Sequence, residues 1–297
     1  MSYRGAAGVA EAGAAHAHPD SPAVRQAIVV SDLHCGCKLG LCPPYKIQLD
    51  EGGYYEASDL QKKVWEIWQK EFWSEWVPVV TRGEPFAVVI NSDATDGVHH
   101  GATTQISHNL SDQRRIAKLV LEPVVEASRG RFYMIRGTEA HVGPSGMSEE
   151  ALAEGLGAIP NETGNYARWD MWARIGSHLS HITHHIGVTG SMHYETTALM
   201  KEFAEACGEA GRYRLEAPAV VVRAHRHRFA EIKVPTGAGD GICVVTPGWQ
   251  LRTPYVWRGS GRNTTPQFGG ILVRSGNEEV FTRHYIKTVE RTPEVRL

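Results

Sequence analysis

The chain has almost no excess of either sign of charge, because 31 lysines and arginines nearly balance 33 aspartates and glutamates, leaving a formal net charge of −2. This balance excludes a global attraction for nucleic acid or for an anionic membrane, so any such contact needs a local basic patch. Long hydrophobic runs are absent too, and none reaches the roughly 18 residues of a transmembrane helix. We therefore expect a soluble protein with no membrane partner.

Cysteine is scarce: the five cysteines are an odd number, and their spacing does not fit the disulfide framework of a small secreted protein. Cys35, Cys37 and Cys42 lie close together in the sequence, which leaves a small zinc or iron–sulfur site open as an alternative. Reduced thiols in a cytoplasmic protein are the favoured interpretation. A G-x-S-x-G motif is also missing, which disfavours a nucleophilic serine or cysteine hydrolase.

Breaks in composition and internal repeats are missing from the 297 residues, of which 42% are hydrophobic, enough for a large buried core. Residues 1–24 are rich in alanine and glycine and are predicted to be a disordered tail. Residues 25–297 are predicted to form a single domain. Helices alternate with strands early in the chain and strands dominate its end, which predicts an α/β protein with layers around one core.

The chain does contain one repeated design, an apolar strand that ends in aspartate, histidine or glutamate. The first example runs from Ile28 through Val30 into Asp32 and His34. Residues two apart in a strand point to the same side, so this pair can reach one metal ion. The design recurs four times, at Asp93, at Glu139 to His141, at His184 and His185, and at His225 to His227.

A helix capped by Ser58 or Asp59 is predicted to run to about Val77, because large apolar side chains recur every four residues, at Leu60, Val64, Trp68, Phe72 and Trp76. We interpret this aromatic stripe as a core face that packs on a sheet.

The candidate metal ligands are more numerous than one tetrahedral ion requires, and they fit two neighbouring divalent ions, Mn, Fe or Zn, with a carboxylate such as Asp93 between them. They are Asp32, His34, Asp93, His184, His225 and His227.

These motifs resemble those of the calcineurin-like metallophosphoesterases, and phage-encoded members look most similar. The family signature is D-x-H, G-D-x-x-D, G-N-H-[DE], a lone histidine and G-H-x-H, each after a strand. The matches here, which span about two-thirds of the chain, are 32–34, 93–96, the segment from Gly137, His184 or His185, and 225–227. The resemblance implies a four-layer α/β/β/α sandwich, in which two mixed sheets are flanked by helices.

The resemblance also implies roles for single residues. Asp32, His34 and His227 would hold the first ion, His184 and His225 the second, and Asp93 would bridge them. Asp96 would support the site as a hydrogen-bond acceptor, and His141 would stabilise the transition state or protonate the leaving group.

Three positions depart from the family pattern. Ser92 and Ala224 replace glycines, and both are small enough to preserve a close approach of the backbone. In the third motif Thr138 stands where the family has asparagine, followed by Glu139, with His141 displaced. Glu139 and Thr138 are alternative replacements for the asparagine ligand, and a weak second metal site is the other interpretation.

Three further predictions concern side chains in or near these motifs. Adjacent residues in a strand face opposite ways, so only one of His184 and His185 can face the ions, and we choose His184. Arg226 and Arg228 are candidate substrate-binding residues, because guanidinium groups match phosphate oxygens, and a solvated rim with salt bridges is the alternative. Trp249 is predicted either to stack on a substrate ring or to pack in the core.

The sequence therefore predicts a two-metal phosphoesterase in which metal-bound hydroxide attacks a phosphate ester. A phosphodiester or nucleic acid is slightly favoured over a monoester as the substrate. The altered third motif motivates the alternative of a degenerate, non-catalytic binding or scaffold protein.

Overall fold

The computed structural model describes residues 23–99, 101–187, 192–258, 265–289 and 294–296. Nearly all of the tail predicted for residues 1–24 lies outside the described residues. Within them, no helix combines the length and the apolar character needed to cross a bilayer.

The first sheet has six strands in the order β13-β12-β1-β4-β5-β6. The strands β1, β4, β5 and β6 are parallel, and β12 joins β1 in the antiparallel sense. Every residue of β1 and β4 is buried, as expected of parallel strands that are covered on both faces. The bounds are β1 Gln26–Val30, β4 Ala87–Asn91, β5 Phe132–Ile135, β6 Ala167–Arg168, β12 Gln267–Ser275 and β13 Val280–Thr288.

The second sheet has five strands in the order β10-β11-β9-β8-β7. Its central strands β8, β9 and β11 are parallel, with antiparallel neighbours at both edges. The bounds are β7 Met171–Ile175, β8 His178–Ile182, β9 Val220–Arg223, β10 Ala230–Thr236 and β11 Gly239–Val245. A small hairpin, β2 Ile47–Gln48 with β3 Tyr54–Tyr55, lies in the loop after β1.

The helices complete the layers. One continuous helical stretch comprises α1 Asp59–Glu66, a π-helical segment Ile67–Trp76 and α2 Val77–Thr81. The others are α3 Leu110–Ser128, α4 Glu139–Val142, α5 Met147–Gly155, α6 Glu195–Tyr213 and α7 Pro254–Arg258, with single 3₁₀ turns at Pro144–Gly146 and Met192–Tyr194.

The alternation of side chains along β1 separates the layers. Ile28 and Val30 face the helices of the first sheet, whereas Val29 faces the second sheet and packs in one cluster with Val220 and Val222. On the far side of the second sheet, Val221 and its neighbours pack against α6. The α/β fold of two mixed sheets flanked by helices is thus confirmed.

The aromatic stripe packs as core, as predicted. Trp68 and Phe72 are buried, and both rings contact Trp249, which is fully buried. Trp249 therefore has the packing role among its two predicted alternatives. Leu60, which was predicted to lie on the same stripe, is exposed, because the first turn of α1 buries Gln61 instead, whose side chain donates to Cys37 O and Gly40 O.

Candidate metal centre

The predicted strand ends meet at one edge of the molecule, where the carboxyl ends of the parallel strands of both sheets converge. Backbone hydrogen bonds join the loops that follow these strands. The amide of Asp32 donates to Ser92 O at 2.6 Å, that of His34 donates to Asp93 O at 2.9 Å, and that of Ala224 donates to His184 O at 2.8 Å. Ligands from four strands are therefore brought together by the sheets.

The first group of side chains comprises Asp32, His34 and His227, whose candidate ligand atoms lie within 4.8 Å of one another. The Nε2 atoms of His34 and His227 are 3.2 Å apart. His227 Nε2 is 3.3 Å from Asp32 Oδ1. These are the three residues that the resemblance assigns to one ion.

The second group comprises Asp93, His184 and His225, within the same distance limit. His184 Nε2 lies 3.0 Å from Asp93 Oδ2 and 3.9 Å from Asp32 Oδ1, so the two groups adjoin. His184 is buried, whereas His185 is exposed, with its ring 5.1 Å from that of His184. The geometry thus favours His184 over His185, while a bridging role for Asp93 stays a prediction.

Hydrogen bonds on the far side of the rings orient two of these imidazoles. His184 donates from Nδ1 to Asn91 O at 2.8 Å, and His34 Nδ1 lies 3.2 Å from Asp96 Oδ1. When the ring is neutral, this bond places its one proton on Nδ1 and leaves the lone pair of Nε2 toward the group. Asp96 is itself held by the side-chain amides of Gln105 and Gln250, at 3.0 and 3.1 Å. It has the acceptor contacts predicted for it.

Five of the six candidate ligands adopt left-handed backbone conformations, in which non-glycine residues are uncommon. Their φ angles are 54° at Asp32, 46° at His34, 53° at Asp93, 72° at His225 and 53° at His227. Each such residue costs about 1–3 kcal/mol and persists only where its surroundings hold it, as functional sites often do.

The charges of the site are strongly coupled. Burial disfavours the charged form of His184, yet the carboxylates of Asp93 and Asp32 raise the pKa of His184 to about 10. Burial likewise disfavours the Asp32 carboxylate, but the imidazoles of His227 and His184 lower its pKa to about 2. Negative oxygens therefore dominate around His184, as a cation site requires.

The donor set fits divalent cations. Three buried atoms, Asp32 Oδ1, Asp93 Oδ2 and His184 Nε2, make no hydrogen bond within the described part of the chain. Buried polar atoms without a partner are costly, and these three face one another across 3.0 to 3.9 Å. Carboxylate oxygen with imidazole nitrogen suits Mn, Fe or Zn. The buried groups of aspartate and histidine can therefore hold metal ions.

The third motif contributes through Thr138 more than through Glu139. The amide of Thr138 donates to Asp93 Oδ1 at 2.7 Å, and its hydroxyl lies 3.1 Å from His225 Nδ1. Glu139 is exposed at the start of α4 and belongs to none of the candidate metal groups found among the described residues. Of the two alternatives for the missing asparagine, only Thr138 contacts the predicted ligands.

His141 lies beside the first group, with its ring 4.6 Å from that of His34. Its Nδ1 donates to Asp96 O at 2.6 Å, which leaves Nε2 for proton exchange. Burial and the neighbouring His34 lower the pKa of His141 to about 4. His34, Asp96 and His141 also form a third group of candidate ligands.

A cavity of about 620 Å³ opens over the site and is lined by His34, Asp93, His141 and several arginines. Arg226 and Arg228 both line it, and their role in binding substrate stays a prediction. Arg228 pairs with Glu195 at 3.3 Å, and Arg226 Nη1 donates to Glu195 O at 3.4 Å. The start of α6 therefore orients both guanidinium groups at the rim.

The cysteine alternative finds no support in the geometry. Cys35, Cys37 and Cys42 are all buried, and none belongs to a candidate metal group within the described ranges. Burial raises the pKa of Cys37 to about 11 and that of Cys42 to about 12, so both thiols stay protonated.

Sequence reasoning missed Glu149, a fully buried residue of α5. Its carboxylate accepts hydrogen bonds from the amides of Ala94 and Gly137, at 3.1 and 2.7 Å, and from the Ser92 hydroxyl. Burial and the charge of Asp93 raise its pKa to about 7. Glu149 follows no strand, so the pattern that found the other residues could not find it.

No protein-family model and no curated protein matches this sequence. Among solved structures, Vacuolar Protein Sorting 29 from Cryptosporidium parvum is similar, with a TM-score of 0.36 and 10% identity over 90% of this chain and 100% of that one. The solution NMR structure of Thermotoga maritima protein TM1076 is also similar, with a TM-score of 0.32 and 11% identity over the same shares. The two mixed sheets and their flanking helices are those that the resemblance to the calcineurin-like metallophosphoesterases implies.

Proposed function

We propose that this protein is a metal-dependent phosphoric ester hydrolase that cleaves a phosphodiester, with a nucleic acid strand as the favoured substrate. The observation that carries the proposal is the convergence of six predicted ligands into two adjoining groups, Asp32-His34-His227 and Asp93-His184-His225. When bound, two divalent ions neutralise phosphoryl charge and lower the pKa of a water molecule.

The residues around the groups have separate tasks. Asp96 and Asn91 O hold His34 and His184 in the tautomers that point Nε2 inward. Thr138 fixes the Asp93 carboxylate through its amide. His141 Nε2 would exchange a proton with the leaving group, while Nδ1 keeps its own proton and donates it in the hydrogen bond to Asp96 O.

The cavity supports a diester rather than a small monoester. Its volume of about 620 Å³ accommodates groups on both sides of a phosphate. Arg226 and Arg228 lie at its rim with Arg252 and Arg258, which gives the locally basic surface that the nearly neutral chain otherwise lacks. Guanidinium groups bind phosphate oxygens bidentately and suit a strand with successive phosphates.

The test joins metal analysis to a hydrolysis assay on the wild type and on Asp93→Asn. The wild type should bind two Mn²⁺ per chain and hydrolyse bis-p-nitrophenyl phosphate faster than the mono-ester. Asp93→Asn should lower kcat/KM at least about a hundredfold, because a catalytic ion contributes several kcal/mol. Retained activity in that variant would refute the mechanism.

A matched pair of variants tests the site itself. His184→Ala should lose one ion, whereas His185→Ala, the exposed neighbour, should keep both. A folded wild type that binds less than one ion per chain and shows no Mn²⁺-stimulated hydrolysis would instead favour the non-catalytic alternative, which the replacement of asparagine by Thr138 motivates.

A further inference from the structure

Glu149 joins the loops after β4 and β5. It lies in the first turn of α5 with its side chain fully buried. One carboxylate oxygen accepts from the amide of Ala94 at 3.1 Å and from the Ser92 hydroxyl, and the other accepts from the amide of Gly137 at 2.7 Å. Its three donors thus come from two loops that are more than 40 residues apart in the sequence.

Each of these contacts lies next to Asp93. Ser92 and Ala94 are its neighbours in the chain, and Gly137 precedes Thr138, whose amide donates to Asp93 Oδ1 at 2.7 Å. Asp93 itself has a left-handed backbone, with a φ of 53°, which its surroundings must hold in place. Glu149 supplies that support on both sides.

The two loops also approach each other closely at this point. A Cβ atom on Gly137 would lie 2.1 Å from Asp93 Oδ1 and 2.5 Å from the amide nitrogen of Asp93. Only glycine fits there, so the distance between the loops sets the position of the Asp93 carboxylate. A bond that joins the loops therefore controls the geometry of this ligand.

The departure from the family motif at Ser92 supplies one of the donors to Glu149. Ser92 stands where the resembled motif has glycine, and its hydroxyl is the side-chain donor to Glu149. A carboxylate with two acceptor oxygens satisfies all three donors at once. A glutamine would place an amide N–H₂ group against one of the two backbone N–H donors.

We propose that Glu149 is a positioning residue that holds Asp93 in the geometry needed for the ion shared with His184 and His225. This inference rests on the proposed function, because it concerns the affinity of the same site. It assigns the determinant of that affinity to a buried carboxylate on α5 that touches neither ion nor substrate. Groups that orient metal ligands in this way typically contribute about 10–100-fold to affinity.

Glu150 provides a matched control on the same helix. Its carboxylate also accepts two backbone amides, those of Tyr166 and Ala167, at 2.7 and 2.9 Å, and pairs with Arg136 at 2.9 Å. It thus joins α5 to the start of β6 and contacts the loop after β5 only through the Arg136 side chain, whereas Glu149 accepts from the backbone of both metal loops. Glu149→Gln and Glu150→Gln remove equivalent contacts at different places.

The experiment measures Mn²⁺ binding by calorimetry for the wild type and both variants, with circular dichroism to establish folding. Glu149→Gln should lower the affinity for one of the two ions about 10–100-fold and leave the affinity for the other near that of the wild type. Glu150→Gln should bind both ions with wild-type affinity. The visible absorption of Co²⁺-loaded protein should change in Glu149→Gln alone. Ser92→Ala, which removes only the hydroxyl donor, should show a smaller loss of Mn²⁺ affinity. It replaces Glu149→Gln in the test if that variant does not fold.

Two results would overturn the inference while leaving the proposed function intact. One is wild-type affinity for both ions in folded Glu149→Gln and in Ser92→Ala. The other is an equal loss of affinity in Glu149→Gln and Glu150→Gln, which would mean general destabilisation. A wild type that binds no metal would instead refute the proposed function itself.

Discussion

At the scale of single residues, the backbone is most constrained where chemistry is predicted. Asp32, His34, Asp93, His225 and His227 all have φ angles between 46° and 72°. Aspartate and histidine tolerate this region better than most residues. The turns that it creates place Asp32 and His34 in one group, and His225 and His227 in the two adjoining groups. The D-x-H and H-x-H pairs therefore lie in turns. The sequence pattern predicts the geometry of an extended strand for such pairs.

His141 is the residue whose role a single substitution separates most clearly. In our proposal it exchanges a proton with the substrate and holds no ion, so His141→Ala should lower kcat about 10²–10⁴-fold with unchanged metal content. Steady-state kinetics and elemental analysis of the same preparation measure both quantities. Loss of an ion in this variant would show instead that the group His34-Asp96-His141 binds metal.

At the scale of elements, each strand of the second sheet presents different chemistry on its two faces. In β8 and the residues just after it, His184 turns toward the metal groups, whereas His181 lies on the other side, stacked on Trp172 with ring centroids 4.2 Å apart. Arg223 Nη2 lies 3.3 Å from His181 Nδ1. The two histidines therefore serve the site and the outer layer respectively.

His181 gives a prediction for the dependence of stability on pH. Burial and the Arg223 guanidinium lower the pKa of His181 from 6.5 to about 4, although Asp170 and Glu202 favour its charged form. The unfolded chain therefore binds more protons between these values, and stability falls as the pH drops from 6.5 toward 4. In His181→Gln this part of the loss should disappear.

Urea denaturation of the metal-free protein at pH 7 and pH 5 checks this prediction. The wild type should lose more free energy of unfolding between the two values than His181→Gln does. An equal loss in both proteins would assign the acid sensitivity to other groups.

At the scale of the whole molecule, the predicted ligands tie the two sheets together. Asp32, His34 and Asp93 follow strands of the first sheet, while His184, His225 and His227 follow strands of the second. The apolar layer between the sheets joins them along their length, and the metal groups join them at one end. Bound ions therefore add cross-links between the two halves of the fold.

Metal should for this reason stabilise the folded chain. An ion at a hundred times its Kd contributes about 2.7 kcal/mol per site if it binds only the folded state. Differential scanning calorimetry should show a higher Tm with Mn²⁺ and a return to the metal-free value with a chelator.

Two variants distinguish specific binding from a general effect of the salt. Mn²⁺ should raise the Tm of Asp93→Asn less than it raises the Tm of the wild type, and it should raise the Tm of His185→Ala as much as that of the wild type. An identical increase in Tm for the wild type and Asp93→Asn would contradict the assignment of Asp93.

The sequence by itself determined the elements and the candidate ligands, because both depend on local patterns. Apolar runs form the buried strands, periodic apolar residues form the helices, and the carboxylates and imidazoles stand directly after strands whose parallel ends must meet. The helix from Asp59 and the strand before Asp32 lie where the pattern predicts them. The alternation of faces indicates that only one of His184 and His185 turns inward, and the structure shows that the buried one is His184.

Only the tertiary structure decided the contacts between distant segments. It brings Glu149 to Asp93, pairs Arg228 with Glu195 and buries Trp249 against Trp68. Such contacts depend on how loops pack across space, and no local period or spacing encodes them. The physical reason is that a strand pattern specifies where a side chain leaves the backbone, whereas its partner is set by the folding of the whole chain.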